Sequence, residues 1–239
     1  MILQALHNLY DRLAVDPEYG LAEPGYSIQN VTFAVVLNPD GSLHGVADEE
    51  VDVAIRDPKG KSKSKRRPRQ LKLPGQAKPT GQGINPGFLW DNTKYLLGFD
   101  AKDEKPDRTR LSFETFREKH LKLEAEIDDP GYSAVCRFLE QWQPEAVADH
   151  PELSGKSTGF GVFRILGERG YVHERPRIRE WWQSSQKAGT SRGAEPSGMC
   201  LISGVEDLPL ARKHEPKIKG VALSSGALMV SFNCLAFES

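Results

Sequence analysis

The sequence predicts an α+β fold with mixed helices and antiparallel strands. Three observations point there. Apolar residues recur at helical spacing at the amino end and again between Phe113 and Trp142. Short runs rich in Val, Ile and Phe, bounded by Gly, Pro, Asn and Asp, read as strands. No repeat of 20–50 residues occurs, which excludes a solenoid. At 239 residues the chain is long enough to bury a core, and it is expected to form one domain over 1–239.

Taken in order, Ile2, Leu3, Leu6, Leu9, Tyr10 and Leu13 predict an amphipathic helix over 2–14. Ile28 to Leu37 reads as a strand. Asn38-Pro39-Asp40-Gly41 is a turn signal, and Leu43 to Ile55 is the returning strand of a hairpin. Gly60, Pro68, Pro74, Gly75, Pro79, Gly81, Gly83 and Pro86 argue against helix or central strand, so 57–87 is expected to be a long, flexible basic and Gly/Pro-rich loop. Phe88 to Leu97 reads as a short helix closed by Gly98. Phe113, Phe116, His120 and Leu123 mark the next helix. Asp129-Pro130 offers an N-cap and first-turn proline for a helix burying Tyr132, Val135, Phe138, Leu139 and Trp142. Gly159 to Leu166 is strand-like, with Gly167 and Gly170 turning it into a second strand at Tyr171–His173. Pro176 to Gln186 suggests a helix, while Met199–Ser203 and Ala227–Asn233 suggest strands. The sequence stops six residues after that last strand, as a native protein can and as a chain cut from a longer protein often does.

The net charge of -1 hides an uneven distribution. From Asp11 to Asp57 ten acids face only Arg12 and Arg56. Lys59 to Lys78 then carries nine cations in twenty residues with no acid. Such a run is either a solvated linker or an arm that grips phosphates by releasing condensed counterions. A second basic set, Arg212, Lys213, His214, Lys217 and Lys219, lies among glycines and serines near the end. Between the two, Thr80 to Asn92 mixes glycines with amide side chains, which can donate and accept at base edges.

A search for catalysis is negative. Six scattered His never take metal-ligand spacing, there is no C-x-x-C, and neither zinc nor any cofactor is expected. His120 and Cys136 fall on apolar helix stripes and are expected in the core, as is Trp90. Asp48, Glu49, Glu50 and Asp52 are expected as solvated charges on an edge strand that discourage aggregation. Three Cys far apart exclude a disulfide scaffold and fit a cytoplasmic protein. The amino end lacks a basic leader, and no apolar run approaches the ~20 residues of a membrane span.

Several segments together resemble the large subunit of the type I-C CRISPR interference (Cascade) complex. They are the opening MILQALHNLYDRL with Pro24-Gly25-Tyr26, the stretch GINPGFLWDNTKY from Gly83 to Tyr95, and Tyr171-Val172-His173. Cys200 to Gly204, His214, Pro216 to Gly220, Ser224 to Gly226 and Val230 to Asn233 complete the set. The resemblance covers the whole chain in order. It implies the N-terminal domain of a protein that continues into a C-terminal helical bundle. It further implies a non-enzymatic subunit that recognises the protospacer-adjacent motif on double-stranded target DNA and aids duplex opening, while a guide RNA reads the sequence. Expected partners are the guide-RNA-containing complex subunits, a helicase–nuclease, and acidic phage anti-CRISPR proteins that mimic DNA. On this reading Lys61, Lys63, Lys65, Arg66, Arg67, Arg69, Lys72 and Lys78 grip duplex phosphates, joined by Lys213, Lys217 and Lys219. Gln76, Gln82, Asn85 and Asn92 contact base edges or wedge the opened step. The basic run and the amide-bearing turn are expected to form one cradle. The alternatives are a metal-dependent nuclease subunit and a scaffold that docks neighbouring subunits.

Overall fold

The computed structural model describes residues 2–56, 62–78, 83–102, 104–154, 159–189, 197–200, 202 and 204–209. The expected strand Ala227–Asn233 and the second basic set lie outside them. The chain divides into two compact units where the sequence suggests one domain: Tyr26–Lys78 with Gln82–Trp182, and Met1–Gly25 with Pro79–Gly81 and Gln183–Ser239.

The larger unit is built on a six-stranded sheet. Its strands are β1 (Tyr26–Leu37), β2 (Leu43–Asp48), β3 (Glu50–Arg56), β4 (Ser62–Pro74), β5 (Trp90–Asp91) and β6 (Phe160–Ile165). They lie in the order β3-β4-β1-β6-β5, with β2 also on β1. The hairpin forms as the Asn-Pro-Asp-Gly signal predicts. Gly41 N donates to Asn38 O at 2.9 Å, and β2 pairs antiparallel with β1 from Phe33 to Leu37. The returning strand is two strands, because the chain leaves β1 at Glu49 and continues as β3. β6 pairs parallel with β1, and a parallel pair needs a crossover. Helices α2 (Thr93–Leu96), α3 (Pro106–Leu121), α4 (Glu124–Ile127), α5 (Pro130–Gln141) and α6 (Pro151–Ser154) all lie in that crossover.

The sheet's alternation changes phase at Thr32. There β1 carries Val31 and Phe33 against adjacent residues Phe160 and Gly161 of β6, a bulge of one residue. Val31 and Ala34 therefore share one cluster with Leu73, Trp90 and Val162, while Phe33, Val35 and Leu37 join the main core. That core is filled by Phe113, Phe116 and His120 of α3 and by Tyr132, Val135, Cys136, Phe138 and Leu139 of α5. Each large apolar side chain so buried contributes about 1.5–3 kcal/mol. Asp129 caps α5 as expected, accepting from Gly131 N at 2.8 Å and Tyr132 N at 3.1 Å. Ile178 of α7 (Pro176–Gly189) also joins the main core.

Three expectations need correction. The basic stretch is not a loop through 62–74 but strand β4. The acids that pair with it are Asp48 at the end of β2, Glu49 beyond it and Glu50 of β3, none of them adjacent to it in sequence. Pro68 is tolerated because β4 changes partner there: Ser62–Pro68 pairs with β3 and Arg69–Pro74 with β1. Phe88–Leu97 is not one helix. Leu89 takes a left-handed φ of 61°, Trp90–Asp91 pairs with Val162 and Gly161, and only Thr93–Leu96 is helical before Gly98, itself at φ 66°. Tyr171–His173 is not a strand, since Val172–Glu174 forms a 3-10 turn and the Glu174 carboxylate takes the Tyr171 N–H at 2.9 Å.

In the smaller unit α1 (Ile2–Ala14) forms as predicted, although Leu6 and Leu9 stay exposed. Tyr10 donates to Ala22 O at 3.0 Å. The strand expected at Met199–Ser203 instead falls earlier, at β7 (Ser197–Gly198), which pairs with β8 (Leu208–Pro209). Gly204 N returns to Cys200 O at 2.8 Å in a turn between them.

Candidate nucleic-acid interface

The outer half of β4 forms a two-stranded ribbon with β3, and its alternation sorts charge by face. Residues opposite one another share a face. Arg66 stands opposite Asp52 and forms an ion pair with Asp48, with Glu50 at 3.8 Å, so the cation of that face is compensated and carboxylates are in excess. Those carboxylates raise the Arg66 pKa further above its ordinary value. On the other face Arg67 opposes Val51 and Lys65 opposes Val53, with Lys63 following. Lys63, Lys65 and Arg67 are exposed, and no ion pair engages them among the described residues. Arg69 continues this face but is held by Glu49 at 3.0 Å.

Glu49 is a hub rather than a solvated edge charge. It is buried, and besides Arg69 it receives Tyr171 Oη at 2.6 Å and Arg164 at 3.4 Å. Burial, then the Glu49 hydrogen bond, pushes the Tyr171 phenol well above its ordinary pKa. These contacts pin the point where β2 becomes β3 to β6 and the Tyr171 turn.

At the far end of β4 the chain enters the amide-bearing loop, which is fixed from beneath. Trp90 donates its indole N–H to Pro74 O at 2.7 Å, tying the loop to the end of the strand. Asp91 is fully buried and accepts from Gly87 N at 2.8 Å and Asn92 N at 2.9 Å. Lys78 forms an ion pair with Asp91, donates to Asn85 O, and lies 4.5 Å from the Tyr95 ring centroid and 5.8 Å from that of Trp90. Burial raises the Asp91 pKa even against the pull of Lys78. Lys119 donates to Pro86 O at 2.9 Å and Gly87 O at 3.2 Å. Its pKa is pushed down to about 8 by burial first and by the Lys78 charge second. Gly87 is required where it stands, because a Cβ there would meet Trp90 O at 2.0 Å. Leu89 is held in its left-handed conformation by donating to His120 Nε2 at 2.9 Å, while His120 Nδ1 bonds Phe116 O at 2.7 Å. His120 is thus a neutral core histidine, its pKa pushed down to about 3 by burial.

The expected contact residues separate accordingly. Lys63, Lys65, Arg67 and Lys72 are exposed cations, and Gln76 and Asn85 are exposed amides. Arg66 and Arg69 are exposed but ion-paired. Lys78 is turned inward onto Asp91. Asn92 caps α2, its side chain accepting from Lys94 N at 3.1 Å. Trp90 is core, 1% exposed, as its apolar setting suggests. Lys61, Gln82, Lys213, Lys217 and Lys219 lie outside the described residues. Along β4, Arg67 and Lys63 lie seven and eleven residues before Pro74, about 23 and 36 Å at ~3.3 Å per residue, whereas Lys72 lies two residues before it. Sequence reasoning missed Lys119, Arg164 and Tyr171. For Lys119 the available signal was Asp91, an acid directly after the apolar run Phe88-Leu89-Trp90, which calls for cations nearby once it is buried; Arg164 and Tyr171 gather on Glu49, which the sequence places on a solvated edge.

Among the described residues no group of three or more His, Cys, Asp or Glu could hold a metal ion, and no helix is long and apolar enough to cross a membrane. The sequence from residue 6 to residue 239 matches the family described as CRISPR-associated protein (Cas_Csd1). The chain belongs to the Cas_Csd1 family. No curated protein matches it. Membership places it among CRISPR Cascade large-subunit-like proteins, with other subunits of such a complex as its partners.

Proposed function

We propose that this Cas_Csd1 member is the large subunit of a type I-C complex, working in the cytoplasm. It contacts double-stranded target DNA, recognises the protospacer-adjacent motif and helps open the duplex without catalysing cleavage itself. One observation carries the reading: besides the ion-paired Arg66 and Arg69, β4 bears four further exposed cations, and it ends at a loop whose backbone is locked while Asn85 remains exposed. A preorganised amide discriminates bases without first having to be ordered. Gln76 and Lys72 flank the same end of the strand, one as a second amide and one as a phosphate contact. A helicase–nuclease supplies cleavage in this reading, and DNA-mimicking acidic phage proteins are competitors for the cationic strand.

The test is the assembled complex, with the parent subunit or Asn85→Ala, binding guide-matched duplexes with and without the motif. Removing a bidentate hydrogen-bonded pair to a base costs about 1–3 kcal/mol, or roughly 5- to 150-fold, on the motif-bearing target only. Equal binding of both targets by the parent complex would remove motif recognition. Metal-dependent cleavage by the subunit alone would overturn the non-catalytic assignment.

A further inference from the structure

We infer that Lys63, Lys65 and Arg67 form a backbone rail for duplex DNA lying outside the motif, about 7–11 base pairs from the end of β4 at Pro74, where the loop begins. This inference rests on the proposed DNA-contacting role and adds where on the duplex the second contact falls.

The argument starts from the strand. Side chains two residues apart on a strand share a face and stand about 6.6 Å apart. Lys63, Lys65 and Arg67 therefore make a ladder of three cations about 13 Å long. Their neighbours across the ribbon are Val51, Val53 and Ile55, none of which supplies a countercharge. The acids of β3 fall on the opposite face with Arg66, so only one side of the ribbon presents uncompensated positive charge. Nothing on that face is suited to reading bases: there are no amides, and long cationic side chains reach phosphates from any sequence.

Position follows from the register. The ladder sits about 23 to 36 Å along β4 from Pro74, the residue to which Trp90 anchors the loop. Each base pair rises ~3.4 Å, so that span equals about 7–11 base pairs, about two-thirds of a duplex turn at Arg67 and about one turn at Lys63. The Lys63 end therefore meets the side of the duplex that faces the loop, and the ladder gains affinity there without sequence preference.

The experiment uses the assembled complex with the parent subunit or the Lys63→Gln/Lys65→Gln/Arg67→Gln variant. The targets carry the motif and either about 4 or about 15 base pairs of duplex beyond it, and binding is titrated over salt. Three phosphate contacts at ~0.9 each predict a change of about 2.7 in the slope of log K against log salt, or about 40-fold between 50 and 200 mM. With the parent, the long flank is expected to show the steeper slope and the short flank to lack this increment. The triple variant is expected to bind both flanks with the short-flank slope. The parent comparison needs no substitution, so it stands even if the variant assembles poorly. Equal slopes on both flanks for the parent overturn the rail. So does a variant that loses the same increment on both flanks, because the ladder then serves the motif itself. Loss of guide RNA from the variant complex would assign the cations to the guide and also overturn it. In each case, retained discrimination between targets with and without the motif shows that the motif-reading role survives. Loss of that discrimination in the parent defeats the proposed function instead.

Discussion

Lys78→Met is expected to destabilise the protein far more than removal of any ladder cation. The Asp91 carboxylate is fully buried, and Lys78 is its ion-pair partner. Without the ammonium, the carboxylate keeps only the N–H groups of Gly87 and Asn92. Removing one member of a buried pair costs about 3–5 kcal/mol, because a charge is left without compensation. The cation's interactions with the Tyr95 and Trp90 rings vanish as well. For a chain of this size each kcal/mol lowers Tm by about 2–4 °C, so the expected fall is about 6–20 °C at neutral pH. The double variant Lys78→Met/Asp91→Asn replaces the lone charge with a neutral amide and should recover much of that loss. Thermal denaturation followed by circular dichroism reads all three. Asp91 has a raised folded-state pKa, so acid protonates the folded form first. The gap between Lys78→Met and parent should therefore narrow as pH falls through that raised value. A single variant within about 2 °C of the parent, or a double variant no more stable than the single, refutes the reasoning.

Three further outcomes are expected. Asn92→Ala should cost about 1 kcal/mol through loss of the α2 cap, with Asn92→Ser retaining most of it; chemical denaturation measures both. If capping is its whole role, motif discrimination by the assembled complex stays unchanged in either variant. Glu49→Gln should cost about 2 kcal/mol, as the buried oxygens that receive Arg69, Arg164 and Tyr171 lose their charge; a melting shift below 1 °C would deny the hub. Lys119, with its pKa pushed down to about 8 against ~10.4 unfolded, releases its proton in the folded state first. Between those values the unfolded chain holds more protons, so this group's contribution to stability rises with pH, and Lys119→Met should flatten that rise in denaturation midpoints measured from pH 8 to 10.

What the sequence reveals here is whatever is encoded locally. Asp129 and Pro130 announce α5 because the cap and the first-turn proline are adjacent. Asn38 to Gly41 announces the hairpin because turn chemistry resides in four consecutive residues. The stripe Phe113, Phe116 and His120 gives α3 directly. β4 is hidden because its stabilising acids lie across a ladder and its proline falls where the partner changes. The roles of Lys78 and Asn92 are hidden for a related reason: Lys78 looks like one more cation in a basic run until Asp91, thirteen residues on, is brought beneath it. Asn92 looks like an exposed amide until α2 begins at its side chain. Asn85, by contrast, is exposed, although Lys78 and Tyr95 hold its backbone.

The change of partner at Pro68 has an evolutionary consequence. Beyond that proline β4 shares its backbone with β3 alone, and Lys63, Lys65 and Arg67 add nothing to the apolar interior. Selection can therefore raise, lower or redistribute the electrostatic reach of this projecting ribbon without disturbing the folding of the sheet behind it. Its charge can change there while the surroundings of Asp91 stay fixed.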